Sequence, residues 1–265
     1  MQEKSENVKK KVLKDFLVIA KQAGAIILSI YNQDYEISIK DNQTPLTVAD
    51  EKANEYIVNQ LKTLYPDIAI LSEESSDDLS RLDKQALFVV DPLDGTKEFI
   101  KKNGEFTVNI ALVIDGESVV GVVYAPALEK LYYASQGKGA FLEFENKELN
   151  SLKVTSKFNE LNVVGSKSHA SIQEQTLYNK HSDAINSIFS VGSSLKGCLI
   201  AEGKADVYYR FGLTYEWDTA AMHCIAVEAG AIVKQLDHTE LKYNREDTLN
   251  RKGFYIVNRK ENIWL

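Results

Sequence analysis

The 265-residue sequence has little cysteine and no long apolar run. Its two cysteines, Cys198 and Cys224, are too few for a disulfide framework or a cysteine-rich zinc site, so a reducing intracellular setting is expected. The apolar stretch 16–20 ends at Lys21 and is far shorter than the ~20 residues that cross a membrane. Because the residues before it are strongly charged, no signal peptide is predicted. We therefore expect a cytoplasmic protein without an integral membrane segment, and peripheral association with the inner face of the cell membrane is left open.

Basic residues are also in the minority. Lysine and arginine number 31 against 38 aspartates and glutamates, which gives a net charge of −7. Without a basic run, binding to a nucleic acid polymer is not expected. Hydrophobic residues at 44% and charged residues at 26% are typical of a globular protein, and they exclude a disordered, collagen-like or coiled-coil chain. With only four prolines and no Gly/Ser-rich linker, the chain is predicted to form one compact unit.

Hydrophobic periodicity divides the chain into two halves. Helical spacing of apolar residues predicts helices over 13–30 and 49–64, and Asp115-Gly116 between two apolar runs predicts a β-hairpin. Beyond residue 155, strand-like and helical segments alternate. We expect an α+β, or mixed α/β, fold in which residues 1–155 form a subdomain with an antiparallel-rich sheet. Residues 156–265 are expected to form an α/β subdomain.

The clearest local signal is the motif DPLDGT at residues 91–96, which follows a predicted buried strand. Sites in α/β proteins are often built where strands end. Two carboxylates brought close together repel unless one protonates or a cation binds, and Mg²⁺ prefers oxygen ligands. Asp91 and Asp94 therefore indicate a metal site. An ordinary Asp-Gly turn that ends a strand is an equally good interpretation of the hexapeptide alone.

Four further carboxylates lie at the ends of predicted elements. Glu73 and Glu74 follow an apolar run, while Asp50 and Asp218 each lie at the start of a predicted helix. Taken singly, Asp50 and Asp218 are explained by N-capping, and the glutamates by a solvated loop. Taken together, they favour a cluster of acidic residues around a metal.

Other motifs fail on spacing. Asp91-x-x-Asp94 does not have the alternating ligands of an EF-hand, and it is one residue too long for the Asp-x-Asp-Gly-Thr motif of haloacid-dehalogenase phosphatases. The sequence has no P-loop, no dinucleotide-binding glycine motif and no Gly-x-Ser-x-Gly elbow. The four histidines show no spacing typical of metal ligands. The motif Gly137-Lys138-Gly139 predicts a hairpin turn.

Three motifs in order resemble the signatures of the inositol-monophosphatase superfamily. They are LSEES at 71–75, DPLDGTKEF at 91–99, and WDTAA at 217–221 followed by AGA at 229–231. Residues 97–112, 166–169, 192–196 and 208–212 further resemble the CysQ-type 3′(2′),5′-bisphosphate nucleotidases. Ala231 departs from the pattern, because many relatives have glycine there.

This resemblance implies a layered α-β-α-β-α fold, as in the sugar phosphatases. It also implies Mg²⁺-dependent hydrolysis of 3′-phosphoadenosine 5′-phosphate (PAP) to AMP and phosphate, with the corresponding phosphosulfate (PAPS) as a second substrate and with sensitivity to lithium. The partner is then a small nucleotide, and the protein is a monomer or a homodimer. An inositol-1-phosphate or sugar phosphatase of the same superfamily is the alternative, and a catalytically silent metal- or nucleotide-binding protein is a second one.

The resemblance also assigns metal ligands, for two or three Mg²⁺ ions. Asp91 would bridge two ions, Glu73 and the Leu93 carbonyl would complete one site, and Asp94 and Asp218 would hold another. Two ions about 3.5–4 Å apart can clamp the attacking and leaving oxygens of a phosphate.

Catalytic and substrate-binding roles follow from the same resemblance. Thr96 and Asp50 would position and deprotonate the attacking water, and Glu74 would support Glu73 without contacting an ion. The N–H groups of Gly95 and Thr96 would bind the scissile phosphate. Lys196 and Arg210 would bind the second phosphate, and this role is favoured only slightly over a solvated surface charge for each of them. The full set of expected substrate contacts is Glu73, Gly95, Thr96, His169, Ser193, Lys196, Arg210 and Asp218.

Overall fold

The computed structural model of the chain describes residues 2–33, 37–39, 45–144, 148–167 and 171–265. The α-helices within these residues are α1 (Gln2–Tyr31), α2 (Val48–Leu64), α3 (Thr96–Ile100), α4 (Ile172–Lys180), α5 (Leu195–Ala201) and α6 (Glu216–Glu228). The strands of the first half are β1 (Ile37–Ile39), β2 (Pro45–Thr47), β3 (Ala69–Ser72), β4 (Ala86–Asp94), β5 (Thr107–Ile114), β6 (Glu117–Ala125), β7 (Lys130–Ser135), β8 (Ala140–Phe144) and β9 (Glu148–Leu152). The strands of the second half are β10 (Leu161–Ser166), β11 (Ile185–Val191), β12 (Val207–Arg210), β13 (Ile232–Gln235) and β14 (Phe254–Val257).

Two sheets and three helical layers alternate through the molecule. A seven-stranded sheet has the order β3-β4-β5-β6-β7-β8-β9, and all its neighbours are antiparallel except β3 and β4. A five-stranded sheet has the order β11-β10-β12-β14-β13, with parallel pairing at β10. Helices α1 and α2 cover the outer face of the first sheet, α5 and α6 lie between the sheets, and α4 packs on the outer face of the second. The predicted α-β-α-β-α layering is confirmed.

The side chains of β4 show why this strand needs a helical layer on each face. Phe88 and Val90 pack with α1 and α2, whereas Leu87 and Val89 face the layer of α5 and α6. Alternate residues of a strand point to opposite faces, so an uninterrupted apolar run fits a strand buried on both sides.

Close approach of α6 to the first sheet depends on Gly121 in β6. A Cβ atom there would lie 2.3 Å from the carbonyl oxygen of Ala221, so no side chain fits between this strand and the helix. This contact fixes the helix that carries Asp218 against the sheet that carries Asp91. Within the described residues, none of the helices combines the length and apolar character that crossing a bilayer requires.

The strand that carries the acidic motif extends further than the sequence indicated. Pairing with β5 continues from Asp91 opposite Asn109 to Asp94 opposite Thr107, so Pro92 and Leu93 together face a single residue of β5. Pro92 has no N–H to donate to the sheet, which accounts for the break in the ladder. Such bulges redirect side chains and occur often beside active sites.

Several sequence predictions can be compared with these elements. The hairpin at Asp115-Gly116 is confirmed, since both residues adopt positive φ, as a two-residue β-turn of this kind requires. The helix predicted over 49–64 is confirmed as α2. The division into subdomains at residue 155 stays a prediction.

Candidate active site

One cavity brings together most of the predicted site residues. Its volume is about 260 Å³, and its walls come from the end of β4 and from residues at or near the first turns of α3, α5 and α6. The predicted residues that line it are Glu73, Asp91, Leu93, Asp94, Gly95, Thr96, Ser193, Lys196, Arg210 and Asp218. Glu73 and Asp218, which are 145 positions apart in the sequence, thus line the same cavity. His169 lies outside the described residues.

Three aspartates converge in this cavity. One carboxylate oxygen each from Asp91, Asp94 and Asp218 lies within 4.8 Å of the others, a spacing that suits a shared metal ion. Asp91 and Asp94 come from the bulge of β4, and Asp218 comes from the first turn of α6. The two ends of the motif and the distant helix therefore meet because α6 lies against the first sheet.

Each of the three aspartates is held in place through one oxygen. Asp91 Oδ1 accepts the Leu93 N–H at 3.1 Å, and Asp218 Oδ2 accepts the Tyr215 N–H at 2.6 Å. The Oδ2 atom of Asp94 accepts donors from Ser194 and Asn109. Asp91 Oδ2 is buried and has no hydrogen-bond donor among the described residues. A buried carboxylate oxygen without a donor is costly, and a cation would satisfy it.

The cluster perturbs its own ionisation. Burial raises the pKa of Asp91 well above its ordinary value, and the nearby charges of Glu73, Asp94 and Asp218 raise it further. Burial likewise raises the pKa of Asp218, with Asp94 and Glu73 adding to the effect. Burial also raises the pKa of Asp94, although Lys196 and the hydrogen bonds from Ser194 and Asn109 oppose it. Without a cation, the three carboxyl groups thus resist full ionisation.

The two glutamates lie at the end of β3. The N–H of Glu73 donates to the Val90 carbonyl at 3.2 Å, which fixes Glu73 beside β4, and its side chain lines the cavity. Glu74 does not line the cavity, but its charge also raises the pKa of Asp91. Its carbonyl accepts Asn54 Nδ2 at 3.3 Å, so α2 holds this turn. The interpretation of a fully solvated loop is wrong, since both glutamates are half-buried.

Asp50 reaches the cavity through Thr96. The Thr96 hydroxyl donates to Asp50 Oδ1 at 3.1 Å, while Asp50 Oδ2 accepts the N–H and hydroxyl of Thr47 at 2.8 and 2.5 Å. Asp50 is 1% exposed and does not line the cavity itself. Any water that it deprotonates must therefore transfer its proton by way of the Thr96 hydroxyl.

Asp50 and Asp218 occupy the same position in their helices. Each is the third residue of its helix, and each accepts the N–H of the residue three positions earlier, Thr47 or Tyr215. The N-cap residues are therefore Thr47 and Tyr215, and the N-capping interpretation of the two aspartates was wrong. Each aspartate instead accepts the N–H of the N-cap residue from the first turn of the helix. One oxygen secures the helix start while the other serves the site, so the structural and chemical roles do not compete.

Lys196 and Arg210 form the cationic wall of the cavity. They are 8% and 6% exposed, so the interpretation of solvated surface charges is wrong for both. Lys196 Nζ donates to the Ser193 and Val191 carbonyls at 2.5 and 3.3 Å. Burial lowers its pKa, while the Asp94 carboxylate opposes that shift. Two buried cations beside a carboxylate cluster favour an anionic ligand with more than one charged group.

The sequence-based set of site residues lacks two that line the cavity and two that bind Asp94 from behind it. Tyr215 and Trp217, whose rings stack 4.7 Å apart, line the wall beside Asp218, and Asn109 and Ser194 bind Asp94. Ser194 follows the predicted Ser193 directly and opens α5, which was the signal available for it. Asn109 had no such signal, because only the sheet register places it opposite Asp91.

The donor set fits hard divalent cations. The carboxylates of Asp91, Asp94 and Asp218, with Glu73 and the Leu93 carbonyl in the same cavity, offer only oxygen ligands, as Mg²⁺ prefers. The buried Asp91 oxygen without a donor among the described residues and the raised pKa values of the cluster both favour a cation at this position.

A two-sheet layered fold with an acidic cavity at a strand end defines a class of metal-dependent phosphatases. The model of the inositol monophosphatase family matches residues 9–262, and the chain belongs to this family. The chain is therefore a member of a family of metal-dependent phosphatases.

Within the family, the chain is similar to nucleotidases. It is 44% identical over 249 residues to the 3′(2′),5′-bisphosphate nucleotidase CysQ of Salmonella typhimurium, covering 93% of this chain and 99% of that protein. It is 41% identical over 241 residues to the CysQ nucleotidase of Escherichia coli K12, covering 90% and 96%. The crystal structure of CysQ from Bacteroides thetaiotaomicron superposes with a TM-score of 0.84 at 39% identity, covering 94% of this chain and 98% of that one.

Proposed function

We propose that this protein is a Mg²⁺-dependent 3′(2′),5′-bisphosphate nucleotidase that hydrolyses the 3′-phosphate of PAP to give AMP and phosphate. The supporting observation is the convergence of Asp91, Asp94 and Asp218 within 4.8 Å in a cavity whose wall carries Lys196 and Arg210. The phosphate that is cleaved would bind at the metal ions held by the aspartate cluster. The second phosphate would bind at Lys196 and Arg210. The 3′-phosphate of PAPS is a second candidate substrate by the same logic.

Two or three Mg²⁺ ions would be held by Glu73, Asp91, the Leu93 carbonyl, Asp94 and Asp218. When bound, they supply positive charge that neutralises the phosphate and lowers the pKa of the attacking water. This local charge also allows a protein of net charge −7 to accept an anionic nucleotide. Glu74 supports the turn that presents Glu73.

Thr96 and Asp50 handle the proton of the attacking water. Because the Thr96 hydroxyl donates to Asp50, its oxygen is free to accept a hydrogen bond from that water. The water oxygen attacks phosphorus, its proton passes through Thr96 to Asp50, and the bond from phosphorus to the 3′-oxygen breaks. The leaving 3′-oxygen takes up a proton from a solvent water and becomes the free hydroxyl of AMP, and Asp50 then releases its proton to solvent. No covalent enzyme intermediate is formed.

The remaining residues orient the nucleotide. Lys196 and Arg210 bind the phosphate that is not cleaved, and Arg210 suits it through its two-pronged guanidinium group. The N–H groups of Gly95 and Thr96 contact the scissile phosphate, and Ser193 contacts the nucleotide.

A substrate panel tests the proposal. Phosphate release from PAP, inositol-1-phosphate and fructose-1,6-bisphosphate is measured with Mg²⁺ and with EDTA. We expect PAP to have the highest kcat/KM and EDTA to abolish all turnover. A preference for inositol-1-phosphate or the sugar bisphosphate would establish the alternative phosphatase, and no turnover on any substrate would establish a silent binding protein.

A further inference from the structure

Ser194 lies where three segments of the fold meet. It precedes α5, and it is 2% exposed. Its hydroxyl lies 2.7 Å from Asp94 Oδ2 and 2.8 Å from the carbonyl oxygen of Asp218. The same side chain thus contacts the bulge of β4 and the first turn of α6, which carry two of the three clustered aspartates.

Asn109 gives the Ser194 hydroxyl its orientation. Asn109 Nδ2 donates to Ser194 Oγ at 2.9 Å and lies 3.2 Å from Asp94 Oδ2, while its own Oδ1 accepts the Thr107 hydroxyl at 2.9 Å. Because Ser194 Oγ accepts a hydrogen bond from Asn109, the hydroxyl hydrogen of Ser194 points to one of two acceptors, Asp94 Oδ2 or the Asp218 carbonyl oxygen. These groups are at most 2% exposed, except Asp94 and Asp218, so water does not replace the bonds easily.

The N–H of Ser194 adds a second donor to the same carboxylate oxygen, Asp94 Oδ2, at 2.6 Å. Ser193 before it adopts φ of 49°, which turns the chain sharply at this point. Among the described residues, the hydrogen bonds that Asp94 accepts from Ser194 and Asn109 all end at Oδ2. Its Oδ1 is therefore the oxygen that can face a metal ion. Hydrogen bonds of this kind orient metal-ligating carboxylates.

We infer that Ser194 is a positioning residue that sets the distance and orientation between the Asp94 and Asp218 ligands. This inference rests on the proposed metal centre. The Ser194 hydroxyl does not contact the substrate in this role; it holds Asp94 with Oδ1 toward the cluster and ties it to the start of α6.

Ser118 provides a matched control. Its hydroxyl donates to the Ala220 carbonyl at 2.7 Å, which is also a serine bond to the first half of α6, but Ser118 lies on β6 and does not line the cavity. Ser118→Ala removes an equivalent anchor of this helix without touching Asp94. Ser194→Thr keeps the hydroxyl.

The experiment measures Mg²⁺ binding without substrate, from the rise in unfolding temperature of the EDTA-treated protein as Mg²⁺ is added. We expect Ser194→Ala to raise the Mg²⁺ concentration of half-maximal effect about 10-fold or more. Ser118→Ala and Ser194→Thr should stay within about 3-fold of the wild type. The KM for PAP at saturating Mg²⁺ should be unchanged within about 2-fold, because the substrate contacts remain.

Three outcomes overturn the inference. Wild-type Mg²⁺ binding in Ser194→Ala would show that the hydroxyl does not position the ligands. An equal loss in Ser118→Ala would show that any loosening of α6 has the same effect. If the wild type itself shows no Mg²⁺-dependent rise, the proposed metal centre fails as well, which separates the two failures.

Discussion

The substitution Asp91→Asn should stabilise the metal-free protein while it destroys the metal site. Asparagine has nearly the same shape, and its Oδ1 can still accept the Leu93 N–H that Asp91 Oδ1 accepts at 3.1 Å. Its Nδ2 would replace a buried carboxylate oxygen that has no donor among the described residues, and it could donate to a neighbouring carboxylate of the cluster. The change also removes one of three crowded charges.

The size of the effect follows from the spacing of the carboxylates. Two unit charges at the 4.8 Å limit of the cluster repel by about 3.5 kcal/mol at an effective dielectric constant of about 20. Protonation of the cluster already relieves part of this repulsion, as the raised pKa values indicate, and Lys196 offsets another part. We therefore expect a gain of about 2 kcal/mol in the free energy of unfolding of the metal-free protein. For a chain of this length, the gain corresponds to about 4–8 °C in Tm.

Adding Mg²⁺ should reverse the order of stability. A ligand at 100 times its Kd stabilises the folded wild type by about 2.7 kcal/mol, whereas Asp91→Asn would lack one of the proposed Mg²⁺ ligands and should gain little. Urea unfolding of both proteins, with EDTA and with excess Mg²⁺, measures all four values.

The exposed Asp67 supplies the control. Asp67→Asn removes the same charge away from the cavity and should change stability by less than about 0.5 kcal/mol in either condition. A lower stability of Asp91→Asn than of the wild type in EDTA, or equal stabilisation of both proteins by Mg²⁺, would contradict this prediction.

Three other predictions concern pH, proton transfer and substrate choice. Because the folded-state pKa of Asp91 is raised, the metal-free wild type loses stability as pH increases from about 4 through that pKa. The difference in unfolding free energy between Asp91→Asn and the wild type, measured by urea unfolding, should therefore grow between pH 4 and pH 8. A difference that does not change with pH would contradict the raised pKa. Thr96→Val should lower kcat by about 10²–10⁴-fold and leave the Mg²⁺-dependent thermal shift intact, whereas Thr96→Ser should retain most activity; equal loss in both would argue against the hydroxyl relay. Arg210→Ala should lower kcat/KM for PAP by about 10–100-fold and change inositol-1-phosphate turnover by less than about 3-fold; equal loss on both substrates would argue against a second-phosphate contact.

Much of the site could be predicted because its ligands come from short motifs at the ends of apolar runs. The run 86–90 predicted a buried strand, and the carboxylates directly after it had to lie at its end. Asp218 could be added because a helix start is recognisable from the sequence. The layer order could not come from periodicity, which does not reveal the face that a helix covers; the family resemblance supplied it.

Other features depend on tertiary contacts that no local pattern records. The bulge at Pro92 and Leu93 arises from the register with β5, and Asn109 enters the site only through that register. Lys196 and Arg210 are buried because α5, which carries Lys196, packs on the second sheet, whose strand β12 ends at Arg210; their charge alone gave no sign of this. Asp50 lies behind Thr96 because α2 and α3 meet, although the sequence separates them by more than 30 residues.

Anomalous diffraction from crystals soaked in Mn²⁺, a substitute for Mg²⁺, tests the central claim most directly. We expect at least one strong peak within coordination distance of Asp91, Asp94 and Asp218, and no such peak in Asp91→Asn crystals treated in the same way. A wild-type cavity without a peak, or a peak bound elsewhere on the chain, would contradict it.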